Sequence, residues 1–252
     1  MYIIKIYYLL FAVIEIRAKS YNLPKPIDLS HSLDEDTPNW DKNFKFRLID
    51  QDKQELSNGM FYIKNNFIAA EHGSTHLDAP FHFNKNGWKT ADIPIDNLIS
   101  SGIVIDVSNK VKNNGDFELL PEHLEEWEKI HREIPQNTVI LVNFGWSSKY
   151  NNRTMYYGNA EPPYQFPGIS AAAAEWIINT KKVLGVGVDT PSTDCGKSTT
   201  YPTHRILSAN NIFGLENVDL ENKNLPSRDF DLIILPVKIK NGSGGPCRIV
   251  AV

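Results

Sequence analysis

The chain has 252 residues, of which 41% are hydrophobic and 22% charged, a balance that excludes a disordered or fibrous protein. Its 26 basic residues are scattered and outnumbered by 30 acidic ones, and the net charge of -4 leaves no clustered positive footprint for nucleic acid. A chain of this length buries most of its apolar surface without staples, and its two cysteines, Cys195 and Cys247, read equally as one disulfide or as two buried thiols.

The chain opens with one positive charge within residues 1–5, an unbroken apolar run over 6–14 and a small residue at Ala18. That order predicts a secretory signal peptide over residues 1–18, followed by one folded domain over 19–252. The apolar run is too short for a membrane span, which takes about 20 residues; a buried N-terminal strand or helix is the competing reading. The expected location is therefore secreted or extracellular. Asn152-Arg-Thr and Asn241-Gly-Ser are N-glycosylation acceptor patterns that fit export.

Residues 27–31 read as a short strand, 32–58 as a polar excursion over the surface that carries Pro38 and Trp40, and 61–70 as a strand. The β-branched runs 102–107 and 138–144 predict buried strands. Between them Leu124, Trp127 and Ile130 recur at helical spacing. Pro121 suits a first turn and Pro135 forbids continuation, so a helix is expected over 121–133. Residues 146–167, rich in Tyr, Asn and Pro, predict a loop.

Ser170 caps a predicted helix over 171–180, and 183–188 is a further buried strand. A short helix is expected around 203–209, and strands over 230–237 and 248–252 close the chain. There is no repeat or linker. One α/β domain with mixed sheets and two or three helices is the economical reading.

The chemistry concentrates in residues 72–82, His-Gly-Ser-Thr-His-Leu-Asp-Ala-Pro-Phe-His. His72, His76, Asp78 and His82 share one parity, so an extended backbone points all four the same way. His76 and Asp78 then lie about 6.6 Å apart along the strand and can converge on one ion. His72 and His82 lie farther off, and Gly73 and Pro80 supply bends that would fold them back. Imidazole and carboxylate donors without a nearby thiolate suit Zn²⁺, Mn²⁺ or Fe²⁺. Three protein ligands with an open position make a catalytic site, where a water becomes a nucleophile near neutral pH. His82, last in the segment and beyond Pro80, is the candidate proton carrier.

The segment resembles the His-x-Gly/Ser-Thr-His-x-Asp-x-Pro-x-His signature of the cyclase-like metal hydrolases, which include bacterial kynurenine formamidases and isatin hydrolase. The resemblance runs from about Ile27 to the C-terminus. It extends to Thr37-Pro38-Asn-Trp40, Asp189-Thr-Pro-Ser-Thr-Asp194, Tyr201-Pro-Thr-His204-Arg, Leu215-Glu216-Asn217 and Gly242-Ser-Gly-Gly-Pro246. It implies that His72, His76 and Asp78 bind a first metal, and that His204 and Glu216 bind a second, with Asp78 and Glu216 able to bridge. It makes His82 the general acid/base and implies substrate contact by Trp40, which by itself reads equally as a surface anchor.

The same resemblance implies an α/β fold of the three-layer β/β/α swivelling type, one or two divalent ions (Zn²⁺, with Mn²⁺ as the alternative) and a homodimer or homotetramer. Two departures stand out. Ser74 replaces a glycine common in the family, and the leader is unlike that of cytoplasmic bacterial members.

The expected function is hydrolysis of a small amide, arylformamidase-like or cyclic, by metal-activated water with a histidine acid/base. Two alternatives remain: a secreted metal-binding interaction protein without turnover, and an ester or lactone hydrolase using the same centre. Cys195 with His204 lacks the elbow of a nucleophile motif. The Gly242-Ser-Gly-Gly run lacks the Lys-Ser/Thr of a phosphate loop and reads as a tight turn. Asp189 and Asp194, beside Thr, Pro and Ser, read as turn formers.

Overall fold

The computed structural model describes residues 25–112 and 114–252, so the expected signal peptide over 1–18 lies outside the described residues. Among the described residues twelve strands run in the order β1 Ile27–Asp28, β2 Arg47–Glu55, β3 Phe61–Ile68, β4 His76–Asp78, β5 Ile99–Asp106, β6 Glu118–Leu119, β7 Thr138–Asn143, β8 Gly168–Ile169, β9 Val183–Val188, β10 Phe213–Glu216, β11 Phe230–Pro236 and β12 Gly244–Ala251. The helices are α1 Ser108–Val111, α2 Pro121–His131, α3 Arg153–Tyr157, α4 Ala171–Thr180 and α5 Pro202–Ala209. None of the described helices is long and apolar enough to cross a membrane.

The main sheet follows the order β1-β12-β11-β5-β7-β9-β10-β4, and an additional β12–β4 pairing closes it into a barrel. β5, β7, β9 and β10 run parallel; β4, β11 and β12 join antiparallel. Strand alternation sorts the core into two clusters. Val104, Val139, Leu141, Phe213, Leu215, Leu232 and Ile249 fill the barrel. Ile103, Ile105, Ile140, Val142, Val186 and Val188 point outward against Leu124 and Trp127 of α2 and Ala173, Ala174 and Ile177 of α4. Each such aliphatic side chain, fully buried, contributes about 1.5–3 kcal/mol.

The helices begin where capping chemistry allows. Ser170 Oγ accepts the Ala173 N–H at 3.1 Å, and α4 spans the predicted residues. Pro121 opens α2, and Trp127 Nε1 donates to Val104 O at 2.8 Å, tying the helix to β5. α5 starts at Pro202 after Tyr201, whose φ of 49° turns the chain sharply into the helix.

Three segments depart from expectation. The polar excursion contains β2, which is a strand because it pairs with β3 and not because it buries an apolar face. β12 starts at Gly244, earlier than predicted, because Gly244, Gly245 and Pro246 pair with β4 despite their poor strand propensity. The 146–167 loop holds α3, whose cap is Asn152 Oδ1 accepting the Met155 N–H at 3.1 Å.

Candidate metal centre

The barrel closure builds the site. β4 lies between β10 and β12, with Glu216 opposite His76, and with Gly214 and Gly244 opposite Asp78. Leu77 points into the barrel core, so alternation turns His76 and Asp78 to the other face together with Glu216. Only His76–Asp78 is extended. Before it the chain bends at Ser74 (φ 55°), not at Gly73, and after it Pro80–His82 forms a single 3-10 turn. The Ser74 hydroxyl holds the bend by donating to Ser32 O at 3.1 Å and accepting from the Tyr150 hydroxyl at 3.0 Å.

The structure brings together every donor named above. Asp78 Oδ1 lies 2.6 Å from His72 Nδ1 and 3.2 Å from His76 Nε2, while Oδ2 lies 3.2 Å from His204 Nε2. Glu216 Oε1 is 3.1 Å from His204 Nε2, and Oε2 is 3.4 Å from His76 Nε2. His76, Asp78, His204 and Glu216 are buried. The His82 ring stacks on His72 at 4.0 Å and faces the edge of His204 at 6.0 Å. Two donor groups have spacings that suit an ion: His76 with Asp78 and Glu216, and His72 with Asp78 and His82.

The hydrogen bonds of the imidazoles decide what this cluster can hold. His76 Nδ1 is 2.9 Å from Ser74 O, which only accepts, so Nδ1 carries the proton. Its buried Nε2 has no hydrogen-bond partner and faces two carboxylates. His204 Nδ1 is 2.6 Å from Asp194 Oδ2, which turns the Nε2 lone pair toward Asp78 and Glu216. In a buried site each Nε2 shares either a proton or a cation with the carboxylates it faces, and a divalent cation takes the place of those protons. The donor set fits such an ion.

Without a cation the carboxylates hold the facing imidazoles protonated. Burial works against ionisation of His76, but the Asp78 and Glu216 carboxylates outweigh it and push His76 up to about 10. His204 is held well above its ordinary value by Asp194, Asp78 and Glu216, again against burial. Burial would raise Asp78, but His72, His204 and His76 hold it well below the usual carboxylate range. Glu216 is lowered by His204 and His76 against burial and the charge of Asp78. His82 goes the other way. Its surface is open at the cavity, but the partial loss of water around the ring, against the pull of Asp78 and with the charges of His72 and His204, lowers it to about 4.

A cavity of about 370 Å³ opens over the cluster, walled by Pro38, Trp40, Phe83, Tyr157, Pro191 and Tyr201. Trp40 is 42% exposed, meets Tyr164 at 5.2 Å and Tyr157 at 5.8 Å in T-shaped contacts, and walls the cavity. Arg153 sits behind this wall, 4.5 Å from the Tyr157 ring, with its guanidinium donating to Asn39 O and Trp40 O.

Several functional residues escape sequence reasoning. Asp194 is more than a turn former: it accepts from the N–H groups of Thr203 and His204 and from His204 Nδ1. Asp189 is not a local turn former either: buried, it accepts from the N–H groups of Phe144, Trp146 and Ser147 beyond the end of β7. Tyr157 and Tyr201 carry no local signal, since an aromatic in a loop reads the same whether it packs or lines a cavity. Both cysteines are free and buried, so the disulfide reading is not realised. Burial and Glu118 push the Cys195 thiol up to about 11, which removes it as a nucleophile.

A family model described as "Putative cyclase" matches residues 27–195. Isatin hydrolase of Roseibium aggregatum is 29% identical over 222 residues, covering 85% of this chain and 84% of the relative. Kynurenine formamidase of Bacillus thuringiensis subsp. konkukian is 31% identical over 225 residues, covering 89% and 95%. The crystal structure of an isatin hydrolase bound to the product analogue thioisatinate superposes with a TM-score of 0.81 at 27% identity, covering 90% of this chain and 91% of that one. The chain therefore belongs to the cyclase family, with isatin hydrolase and kynurenine formamidase among its relatives.

Proposed function

We propose that the protein is a divalent-metal hydrolase of small, flat aromatic amides, either N-formyl or cyclic. The observation that carries this is the convergence of the His76 and His204 Nε2 atoms, with the His72 ring, on the Asp78 and Glu216 carboxylates beneath an aromatic cavity. His72, His76 and Asp78 would hold one ion, and His204 and Glu216 a second, with Asp78 and Glu216 shared. Zn²⁺ fits the donor set, with Mn²⁺ as the alternative. When bound, the ion supplies Lewis-acid polarisation of the scissile carbonyl and lowers the pKa of a water.

The remaining steps belong to the chain. Trp40 and Tyr157 hold the aromatic part of the substrate by their faces and edges. His82 is neutral at pH 7, so it can accept the proton lost by the attacking water and return it to the leaving nitrogen. The buried floor confines the reacting carbonyl next to His82. The barrel with helices on its β5–β7–β9 wall supports the three-layer β/β/α reading of the fold.

We further propose export, on the charge and apolar order of residues 1–18, and self-association through the β2–β3 arm. In that arm Ile63 and Phe67 are 50% and 62% exposed.

The test is a panel of isatin, an N-formyl anilide and matched esters and lactones, assayed with protein of measured metal content. Amide turnover supports the proposal. Turnover of esters alone favours an esterase, and bound metal without any turnover favours a binding protein.

A further inference from the structure

The Gly242–Gly245 run does not serve phosphate, and its place at the start of β12 gives it another use. The Ser243 carbonyl accepts the Ala79 N–H at 2.8 Å, and Gly244 stands opposite Asp78, so the barrel closure sets this run against the metal-binding segment. Ser243 Oγ donates to Glu71 Oε2 at 2.7 Å, and the Ser243 backbone N–H donates to the same oxygen at 2.9 Å. A hydroxyl has one proton. With that proton committed to Glu71, Ser243 Oγ accepts from His72 Nε2, 2.9 Å away. Nδ1, which lies 2.6 Å from Asp78 Oδ1, is then the nitrogen that can exchange its proton for a cation.

Gly244 makes room for this orientation. A Cβ there would lie 2.6 Å from His72 Cε1 and 2.9 Å from Nδ1, so only glycine lets the ring lie flat against β12. The other two imidazoles are set differently. His76 is fixed by a backbone carbonyl and His204 directly by a carboxylate, and both present Nε2.

We propose that Glu71 and Ser243 are positioning residues that fix the His72 tautomer, so that His72 alone coordinates through Nδ1. This rests on the assignment of His72 as a metal ligand. Ser243 transmits the acceptor strength of the Glu71 carboxylate to the far side of the ring, which is the role an outer carboxylate plays for a ligating histidine. It also holds the ring in one rotation without touching the substrate.

The test uses the full chain, titrated with Zn²⁺ against a chelator, for the wild type, Ser243→Ala, Glu71→Ala and the double variant. Long-range ¹H–¹⁵N spectra of the histidine rings are recorded with and without zinc. The expected wild-type spectrum has one histidine bound through Nδ1 with a protonated Nε2. Each single variant should weaken zinc binding about 10-fold or more. The double variant should lose no more than the weaker-binding single variant, because both act through one chain of hydrogen bonds.

Wild-type affinity in Ser243→Ala, losses that multiply in the double variant, or His72 bound through Nε2 would each overturn the proposal. A wild-type protein whose His72 signals ignore zinc would instead remove the ligand assignment, and this inference with it.

Discussion

Asp78 and His204, 126 residues apart in the chain, meet with Oδ2 3.2 Å from Nε2. Because the other His204 nitrogen is spent on Asp194, Nε2 is the nitrogen left to share a proton or a cation with Asp78. Asp78 also faces His72 and His76, so one side chain joins both halves of the site. Asp78→Asn keeps the shape and removes the charge. It is expected to lower metal affinity by more than the 10–100-fold typical of an outer partner, measured by chelator competition. Unchanged affinity would place the ion elsewhere.

His82 is assigned to proton transfer and His72 to the metal, although both lie in one donor group with Asp78. His82→Ala should reduce kcat by about 10²–10⁴ while metal content stays at the wild-type level. Joint loss of metal and activity would make His82 a ligand.

The pH dependence of His82 follows from its lowered value of about 4. Between its ordinary value of 6.5 and about 4, the folded chain holds fewer protons at His82 than the unfolded chain. The sign is therefore that stability falls as pH falls through this window. An NMR titration of the His82 ring should give a midpoint near 4. A midpoint near 6.5 would contradict the environment described here.

Two buried aspartates separate positioning of the site from support of the fold. Asp194→Ala frees the His204 ring, and metal affinity should drop about 10–100-fold. Asp189→Asn places an amide NH₂ against backbone donors and should destabilise the fold by about 1–3 kcal/mol, read from denaturant unfolding, with metal affinity preserved. Metal loss in Asp189→Asn with an intact fold would reverse that division.

Trp40 meets Tyr157, Tyr164 and Phe166 in T-shaped contacts and lines the cavity. Trp40→Ala should raise KM for aromatic amides more than it lowers kcat. An unchanged KM would leave Trp40 as a structural anchor.

The His76–Asp78 pair is legible in the sequence because a strand presents alternate residues on one face, and that short-range rule survives in β4. His204 and Glu216 are not legible from local pattern, since the β10–β4 register and the start of α5, not spacing, bring them in. Family resemblance names them. Ser243 and Glu71 are hidden for the same reason: 172 residues separate them, and the barrel closure joins them. The buried strands β5, β7 and β9 are read well from β-branched runs, whereas β10, as deeply buried, is missed because Phe-Gly-Leu-Glu carries no such run. β2 is missed because pairing alone, with no apolar periodicity, makes it a strand.

The most direct test is the rate of isatin and N-formyl anilide hydrolysis by chelated protein as Zn²⁺ or Mn²⁺ is added back. The account predicts no turnover in the metal-free protein and a rate that rises with bound metal to a plateau at one or two ions per chain. Undiminished hydrolysis by the metal-free protein would contradict it.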